Sequence, residues 1–251
     1  MSVPYGVFSI SSPGKNPTQN ALANANVDGI TIAQTWNDLE PNEGEYHFEF
    51  LDGAIAMCAA HNKKVLLCIG MQNGKPAWVN TSVTLAGGSF FTFLNDGVPT
   101  TIPVFWDPTF LNKKTAMIAA LGAHLTNNSN IVVVVASFAN ATSEDWNVPH
   151  AQTDIAQWLT LGYTSDKLVA AGQRIIDATM AAFPNQIVTL AVSGNGHLGG
   201  GLNLDPTSDY VPRTVVGLER ALWPGRLNIQ KNDLSTFIPP APGTDSLYQM
   251  I

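Results

Sequence analysis

Residues 27–48, VDGITIAQTWNDLEPNEGEYHF, decide the fold. The first part, Gly29–Gln34, is a short run rich in β-branched and apolar residues, which predicts a buried strand. Aromatic and polar residues follow at once. Pro41 and Gly44 then interrupt regular structure and favour a turn. The stretch therefore predicts a strand whose carboxyl end carries a polar, aromatic loop.

Strand-like and helix-like runs alternate along the rest of the chain, which is typical of βα units around a parallel sheet. Strands are predicted at Tyr5–Ile10, Gly29–Gln34, Lys64–Ile69, Ile131–Ala136, Gln186–Val192 and Arg226–Gln230. Helices are predicted at Thr18–Ala25, Glu49–His61, Pro108–Leu125, Thr164–Phe183 and Pro212–Leu222, and another begins at Asp245. The pairs Gly87-Gly88 and Asp96-Gly97 indicate a hairpin between residues 70 and 108.

Length and pattern together predict the architecture. The 251 residues match the roughly 250 of one (β/α)8 barrel. No linker-like segment divides the chain, so a single domain over residues 1–251 is expected. Six strands are predicted where a closed barrel has eight. The fold class is therefore α/β, as a (β/α)8 TIM barrel or an incomplete version that stops after the sixth strand.

Composition excludes several classes of protein. Charged residues make up 12% of the chain, and the net charge is −7 without a basic stripe, which argues against nucleic-acid binding. No run of about 18 apolar residues predicts a membrane span. No signal peptide is visible, so both an extracellular and a cytoplasmic location stay open. The two cysteines, Cys58 and Cys68, are expected to be buried thiols, with a disulfide as the alternative. No metal or organic cofactor is expected.

The functional residues of such barrels follow the strands, so polar and aromatic residues at these points are the candidates. They are Trp36, Asn37 and Glu40, then Gln72, Asn73 and Trp78, then Asn140, Glu144, Asp145 and Trp146, then Asn195 and His197, and finally Lys231, Asn232 and Asp233. Indole faces beside amide and carboxyl groups fit the apolar faces and hydroxyls of sugars. A carbohydrate ligand is therefore expected.

Three motifs carry a family resemblance. Residues 36–48 follow the pattern W-x-x-L-E-P-x-x-G-x-Y-x-F, residues 76–79 follow P-x-W-V, and residues 103–108 follow P-x-x-W-D-P. Together they resemble clan A glycoside hydrolases, in particular the β-galactosidase-like and cellulase-like branches, over about residues 5–150. The resemblance implies a TIM barrel that cleaves β-linked oligo- or polysaccharides by a retaining mechanism with two carboxyl groups.

The resemblance also implies where the acid/base and the nucleophile lie. In clan A an Asn followed by the acid/base Glu ends strand four, and the nucleophile Glu ends strand seven. Asn140 fits the first position and would hold the sugar 2-hydroxyl, but Ala141 follows it, so the nearest candidate for the acid/base is Glu144, followed by Asp145. The alternative for Glu144 is a side chain that caps the following turn or is solvated. Strand seven is not visible. Glu219, the last Glu, is expected at the surface of a helix, and Asp233 is the late carboxylate near a strand end.

The remaining members of the predicted cleft are substrate-binding residues, namely Trp36, Gln72, Trp78, Trp146 and Asn232. Core packing is the alternative for the first and third of these, and loop anchoring is the favoured interpretation of Glu40. The glycine-rich run at residues 194–201 is interpreted as a flexible loop. Two other functions stay open: a non-catalytic carbohydrate-binding barrel, favoured by Ala141, and an inactive fragment of a glycosidase.

Overall fold

A computed structural model describes residues 4–142, 146, 148–191 and 210–230. Its main feature is a parallel sheet of six strands in the order β1-β2-β3-β6-β7-β8, beside a two-stranded antiparallel hairpin. The eight strands are β1 Phe8–Ile10, β2 Gly29–Gln34, β3 Lys64–Ile69, β4 Phe90–Asn95, β5 Val98–Pro103, β6 Ile131–Val135, β7 Ile187–Ala191 and β8 Leu227–Gln230. Within the described residues the parallel sheet thus has six of the eight strands of a closed barrel, as the sequence predicted.

Helices connect the parallel strands and cover one face of the sheet. They are α1 Gln19–Ala23, α2 Trp36–Leu39, α3 Glu49–Ala60, α4 Ala77–Leu85, α5 Pro108–Leu125, α6 Gln152–Thr160, α7 Ser165–Ala182 and α8 Tyr210–Leu222. The sequence pattern did not predict α2, α4 and α6. The first strand was predicted from Tyr5, whereas only the last three residues of that prediction pair with β2. The predicted helix at Asp245 and the run at residues 194–201 lie outside the described residues.

Parallel pairing brings the carboxyl ends of the strands to one edge of the sheet. β2 and β3 pair in register from Gly29 opposite Lys64 to Gln34 opposite Ile69. The register between β3 and β6 shifts between Val65 and Leu66. The loops after β2, β3 and β6 therefore leave the sheet side by side, and this edge is where such folds carry function.

Two separate apolar clusters stabilise the sheet. The larger one fills the space between sheet and helices, where α5 and α7 pack so closely that a Cβ on Gly122 would lie 2.4 Å from the carbonyl oxygen of Ala182. The smaller one, Ala33, Cys68 and Val135, lies on the opposite face, which lines the interior of the open barrel. Strands with apolar residues on both faces are what a parallel sheet requires.

The predicted hairpin is confirmed. Asp96 and Gly97 form its turn with φ angles of 49° and 81°, and glycine adopts such positive values without strain. The hairpin packs on α6, since the rings of Phe91 and Trp158 stack at 3.6 Å. The hairpin and α6 thus form one packed unit.

Cys58 and Cys68 are both buried, as predicted, and burial raises the pKa of the Cys58 thiol to about 11. No helix in the described ranges is long and apolar enough to cross a membrane. The same part of the chain contains no group of three or more His, Cys, Asp and Glu side chains arranged to hold a metal ion.

Candidate active site

The loop after β2 is fixed by a buried carboxylate. Thr35 caps α2 by accepting a 3.1 Å hydrogen bond from the backbone N–H of Asp38. Glu40 is 3% exposed and accepts hydrogen bonds from the indole N–H of Trp36 at 2.7 Å and from the backbone N–H of Gly44 at 2.9 Å. Gly44 has a φ of 80°, which favours glycine. Glu40 therefore anchors the loop, in agreement with the interpretation from sequence.

Trp36 lies in the core rather than in a cleft. Its side chain is completely buried, and the ring of Trp78 meets it edge-on at 6.0 Å. A sugar ring stacks only on an exposed indole face, so the expected platform at Trp36 is corrected to a packing role. Trp78 is half-buried, and its indole N–H donates a 3.1 Å hydrogen bond to the carbonyl oxygen of Glu40. Of the two, only Trp78 keeps an exposed part for a ligand.

Gln72 ties the loop after β3 to the hairpin. Its side chain is 1% exposed, and Nε2 donates a 2.6 Å hydrogen bond to the carbonyl oxygen of Pro103. A side chain committed to the backbone in this way does not line an open cleft. The expected substrate contact of Gln72 is therefore corrected to a structural role.

Asn140 lies where the sequence predicted it, in the turn directly after β6. The preceding residue, Ala139, has a φ of 54°, a left-handed value that costs a non-glycine residue about 1 kcal/mol or more. The carbonyl oxygens of Asn140 and Ala141 accept 2.9 Å hydrogen bonds from the backbone N–H groups of Gln72 and Asn73. These two bonds join the loops after β3 and β6, and Asn140 is 2% exposed at their junction.

Trp146 returns the chain to the neighbouring strand. Its backbone N–H donates a 2.8 Å hydrogen bond to the carbonyl oxygen of Ala191, the last residue of β7. Its ring is fully buried and meets Phe138 edge-on at 4.7 Å. The indole therefore packs under the loop, and the expected direct sugar contact of Trp146 is corrected. Glu144 and Asn232, like Asp145, Asn195, His197 and Asp233, lie outside the described residues.

Lys114, on α5, binds backbone carbonyl groups just beyond the ends of β3 and β6. The sequence pattern did not predict this role. The residue is 3% exposed, and its ammonium group donates hydrogen bonds to the carbonyl oxygens of Gly70, at 3.0 Å, and Ser137. Ser137 in turn donates a 2.6 Å hydrogen bond to the carbonyl oxygen of Ile69. Burial lowers the pKa of Lys114 to about 7. Its spacing, four residues before Ile118, marks it as part of the buried stripe of α5 and was the available signal.

Glu219 is not a surface residue. Its side chain is completely buried between α7 and α8, because Val215 and Val216 on the same helix bring that face against α7. Burial, and then the charge of Asp177, raise the pKa of Glu219 to about 7. This location is away from the carboxyl edge, so Glu219 does not contribute to the candidate site.

Two cavities open near the carboxyl edge. One, of about 250 Å³, lies in the barrel interior and is lined by residues that include Ser11, Thr31, Cys68 and Gln230. The other, of about 320 Å³, lies between the hairpin, Ala141 and Thr142, and the start of α6. A larger one of about 630 Å³ opens at the opposite edge, beside Ile131 and Ile187, where such folds do not place catalysis.

A comparison with family models places this open (β/α) barrel among the glycoside hydrolases. The model of one family, described as beta-galactosidase (glycoside hydrolase family 42), matches residues 17–170, which is more than half of the chain. The chain belongs to this family. A comparison with curated protein sequences found no match.

Solved structures show the same fold at low identity. The beta-galactosidase from the psychrophilic Marinomonas ef1 is 13% identical with a TM-score of 0.53, over 76% of this chain and 38% of that chain. A GH5_18 protein from Streptomyces cattleya, in complex with Manb1-4GlcNAc, is 14% identical with a TM-score of 0.53, over 78% and 47%. The exo-beta-1,4-mannosidase Op5Man5 from Opitutaceae bacterium strain TAV5 is 14% identical with a TM-score of 0.51, over 77% and 33%. The match thus spans less than half the length of each of these proteins.

Proposed function

We propose that this chain serves in the hydrolysis of a β-linked oligo- or polysaccharide by a retaining mechanism, with Glu144 as the general acid/base. The observation that carries the proposal is Asn140, which lies within the matched family region, in a left-handed turn at the carboxyl end of the fourth parallel strand. In this account the Asn140 amide binds the sugar 2-hydroxyl. Trp78 is the remaining aromatic candidate for sugar contact, and Asn232 stays a predicted contact.

The described neighbours of Glu144 support its role. Thr142, two residues before it, lines the cavity of about 320 Å³, and Trp146, two residues after it, is bonded to the end of β7. Both flanking residues thus belong to the edge that carries catalysis in such barrels. Glu144 would give its proton to the glycosidic oxygen as the bond breaks, and would then take a proton from the water that hydrolyses the glycosyl-enzyme.

The second carboxyl group must lie about 5–5.5 Å from the first in a retaining enzyme. Glu40 is committed to Trp36 and Gly44, and Glu219 is buried between two helices, so neither serves as the nucleophile. The family resemblance implies a Glu at the end of strand seven for this role, and Asp233, after β8, is the late carboxylate near a strand end. The β-linkages named for the mannosidase and for the ligand of the Streptomyces protein support a neutral β-linked substrate.

A second candidate function is carbohydrate binding without hydrolysis. Ala141 favours it, because this fully buried residue stands directly after Asn140, where the family resemblance implies the acid/base Glu. A protein of this kind would keep the sugar-binding edge and lack proton transfer to the leaving group.

Hydrolysis of a panel of 4-nitrophenyl β-glycosides (galactoside, mannoside, glucoside and xyloside) tests the proposal, with binding followed by tryptophan fluorescence. We expect the wild type to cleave at least one glycoside, and Glu144→Gln to lower kcat at least about 100-fold while still binding it. Asp145→Asn is the matched control and should retain activity. Binding without hydrolysis by the wild type would support the second function, and an active Glu144→Gln variant would refute the assignment.

A further inference from the structure

We propose that the cavity between the hairpin β4–β5, the turn after β6 and the start of α6 is a subsite for a second sugar unit of a neutral β-linked oligosaccharide. The proposal rests on the proposed function, because it places this unit next to the one at the catalytic edge. The shape of the cavity, the rigidity of its walls and its hydrogen-bonding groups support the proposal.

The cavity adjoins the predicted catalytic turn directly. Ala141 and Thr142, the residues that follow Asn140, form one side of it, and the hairpin turn at Asn95 and Asp96 forms another. Its volume of about 320 Å³ is at the lower end of small-molecule sites. It is thus large enough for a hexose unit. It also borders the turn that carries Asn140, the residue proposed to bind the sugar 2-hydroxyl.

The walls of the cavity form one connected unit. The backbone N–H of Thr92 in β4 donates a 2.9 Å hydrogen bond to Oε1 of Gln157 in α6. The indole N–H of Trp158 donates a 2.8 Å hydrogen bond to the carbonyl oxygen of Pro149, which fixes the segment before α6. Because these hydrogen bonds already hold the walls together, little conformational entropy of the protein is lost when a ligand binds.

The groups that line the cavity suit sugar hydroxyls. Nδ1 of His150 lies 2.9 Å from the carbonyl oxygen of Val148, which can only accept, so in the neutral ring Nδ1 carries the proton and Nε2 is an acceptor. Oδ2 of Asp154 accepts a 3.0 Å hydrogen bond from the backbone N–H of Ala151, and a carboxylate has further lone pairs to offer. The Asn95 side chain adds an amide that both donates and accepts. Hydroxyls, which also do both, complement this set.

The charge of the cavity selects against acidic sugars. Two carboxylates, Asp96 and Asp154, line it, and the chain as a whole carries a net charge of −7. A carboxylate or sulfate on the ligand would therefore meet like charge at short range, which lowers affinity. The proposed ligand is accordingly neutral, as in galactose, mannose, glucose or xylose units.

Isothermal titration of the full chain tests the subsite with β-1,4-linked tetraoses of galactose, mannose, glucose and xylose and with the matching monosaccharides. We expect at least one tetraose to bind about tenfold or more tightly than its monosaccharide. His150→Ala should reduce this gain in affinity about fivefold or more, as expected for the loss of one hydrogen bond. The matched control is His61→Ala, which removes another histidine whose Nδ1 lies 3.0 Å from a backbone carbonyl oxygen, at the far end of α3.

A hyaluronan tetrasaccharide, which is β-linked and anionic, should bind more weakly than the neutral tetraoses. Asp154→Asn should narrow this difference in affinity, because it removes one negative charge from the cavity. The subsite proposal would be overturned if the affinity gain of the tetraose persisted in His150→Ala. It would also be overturned if no tetraose bound better than its monosaccharide. In the second case hydrolysis of the short aryl glycosides decides the proposed function separately. If those are cleaved, the subsite alone is wrong, and if they are neither cleaved nor bound, both proposals fail.

Discussion

The indole N–H of Trp36 donates a 2.7 Å hydrogen bond to the carboxylate of Glu40 inside the core. This bond lies within the sequence motif that marks the family, and it connects the first turn after β2 to the loop that returns at Gly44. The motif therefore encodes how the loop is held and not a catalytic group.

Glu40→Gln should destabilise the fold without removing a catalytic group. The amide keeps the shape, but it replaces charge-assisted hydrogen bonds and turns an N–H towards one of the two donors. We expect the free energy of unfolding to fall by about 1.5–3 kcal/mol in urea denaturation. Glu49→Gln, on the exposed face of α3, should change it by less than about 0.5 kcal/mol. Equal losses of unfolding free energy in the two variants would contradict the anchoring role of Glu40.

Gly122→Ala should weaken the packing of α5 on α7. The added methyl group would lie 2.4 Å from the carbonyl oxygen of Ala182, so the helices must separate, at a cost of about 1–3 kcal/mol. Gly53→Ala is the matched control in α3, where nothing lies within 4 Å and alanine should stabilise the helix by about 0.5–1 kcal/mol. In thermal unfolding we expect Gly122→Ala to lower the melting temperature and Gly53→Ala to raise it. A higher melting temperature for Gly122→Ala would refute the close contact.

The sequence predicted those elements whose pattern agrees with their environment. β2, β3 and α5 have the predicted bounds, because their apolar positions match the period of a buried strand or of an amphipathic helix. It missed α4, whose Val79, Thr81, Val83 and Thr84 favour strands by local propensity. There, tertiary packing of Val79 and Val83 determines the outcome.

The candidate site was predictable only in part. The position of Asn140 followed from the end of a strand, which the sequence marks clearly. The burial of Trp36, Gln72 and Trp146 did not, because the same residue types serve both as sugar contacts and as packing groups, and only the three-dimensional neighbours distinguish the two. Lys114 was overlooked since a lysine is rarely buried.

Lys114 should make stability rise with pH. Its pKa of about 7 in the folded protein is below the ordinary value of 10.5, so between these values the folded state has released a proton that the unfolded chain still holds. The unfolded state then binds more protons, and the free energy of unfolding increases with pH by up to roughly 1.4 kcal/mol per unit. Comparison with Lys114→Met from pH 7 to 9 should show the wild type gaining stability relative to the variant.

The control for this measurement is Lys113→Met, which removes the same formal charge from the next position of α5, where Lys113 pairs with Glu43 at the surface. Its unfolding curves should run parallel to those of the wild type across the same pH range. Parallel curves for Lys114→Met as well would show that Lys114 keeps an ordinary pKa.

Glu219 should have the opposite effect. Its pKa is raised to about 7 from 4.5, mainly by burial and further by Asp177, so it is protonated in the folded state where the unfolded chain is ionised. Its contribution to stability is complete below pH 4.5 and is lost as the pH rises through 7. Relative to Glu219→Gln, the wild type should lose stability between pH 5 and 8. Asp177→Asn should lower the pKa of Glu219, so that this loss of stability becomes smaller and ends at lower pH, and an unchanged profile would exclude Asp177 as a cause.

In the proposed function, Glu144 protonates the leaving group of a β-glycoside. The most direct test compares kcat/KM of the wild type and Glu144→Gln over aryl β-glycosides whose phenol leaving groups differ in pKa. We predict a large loss for poor leaving groups and a small one for 2,4-dinitrophenol, which departs without a proton. A loss that is the same for every leaving group, or no loss, would contradict the claim.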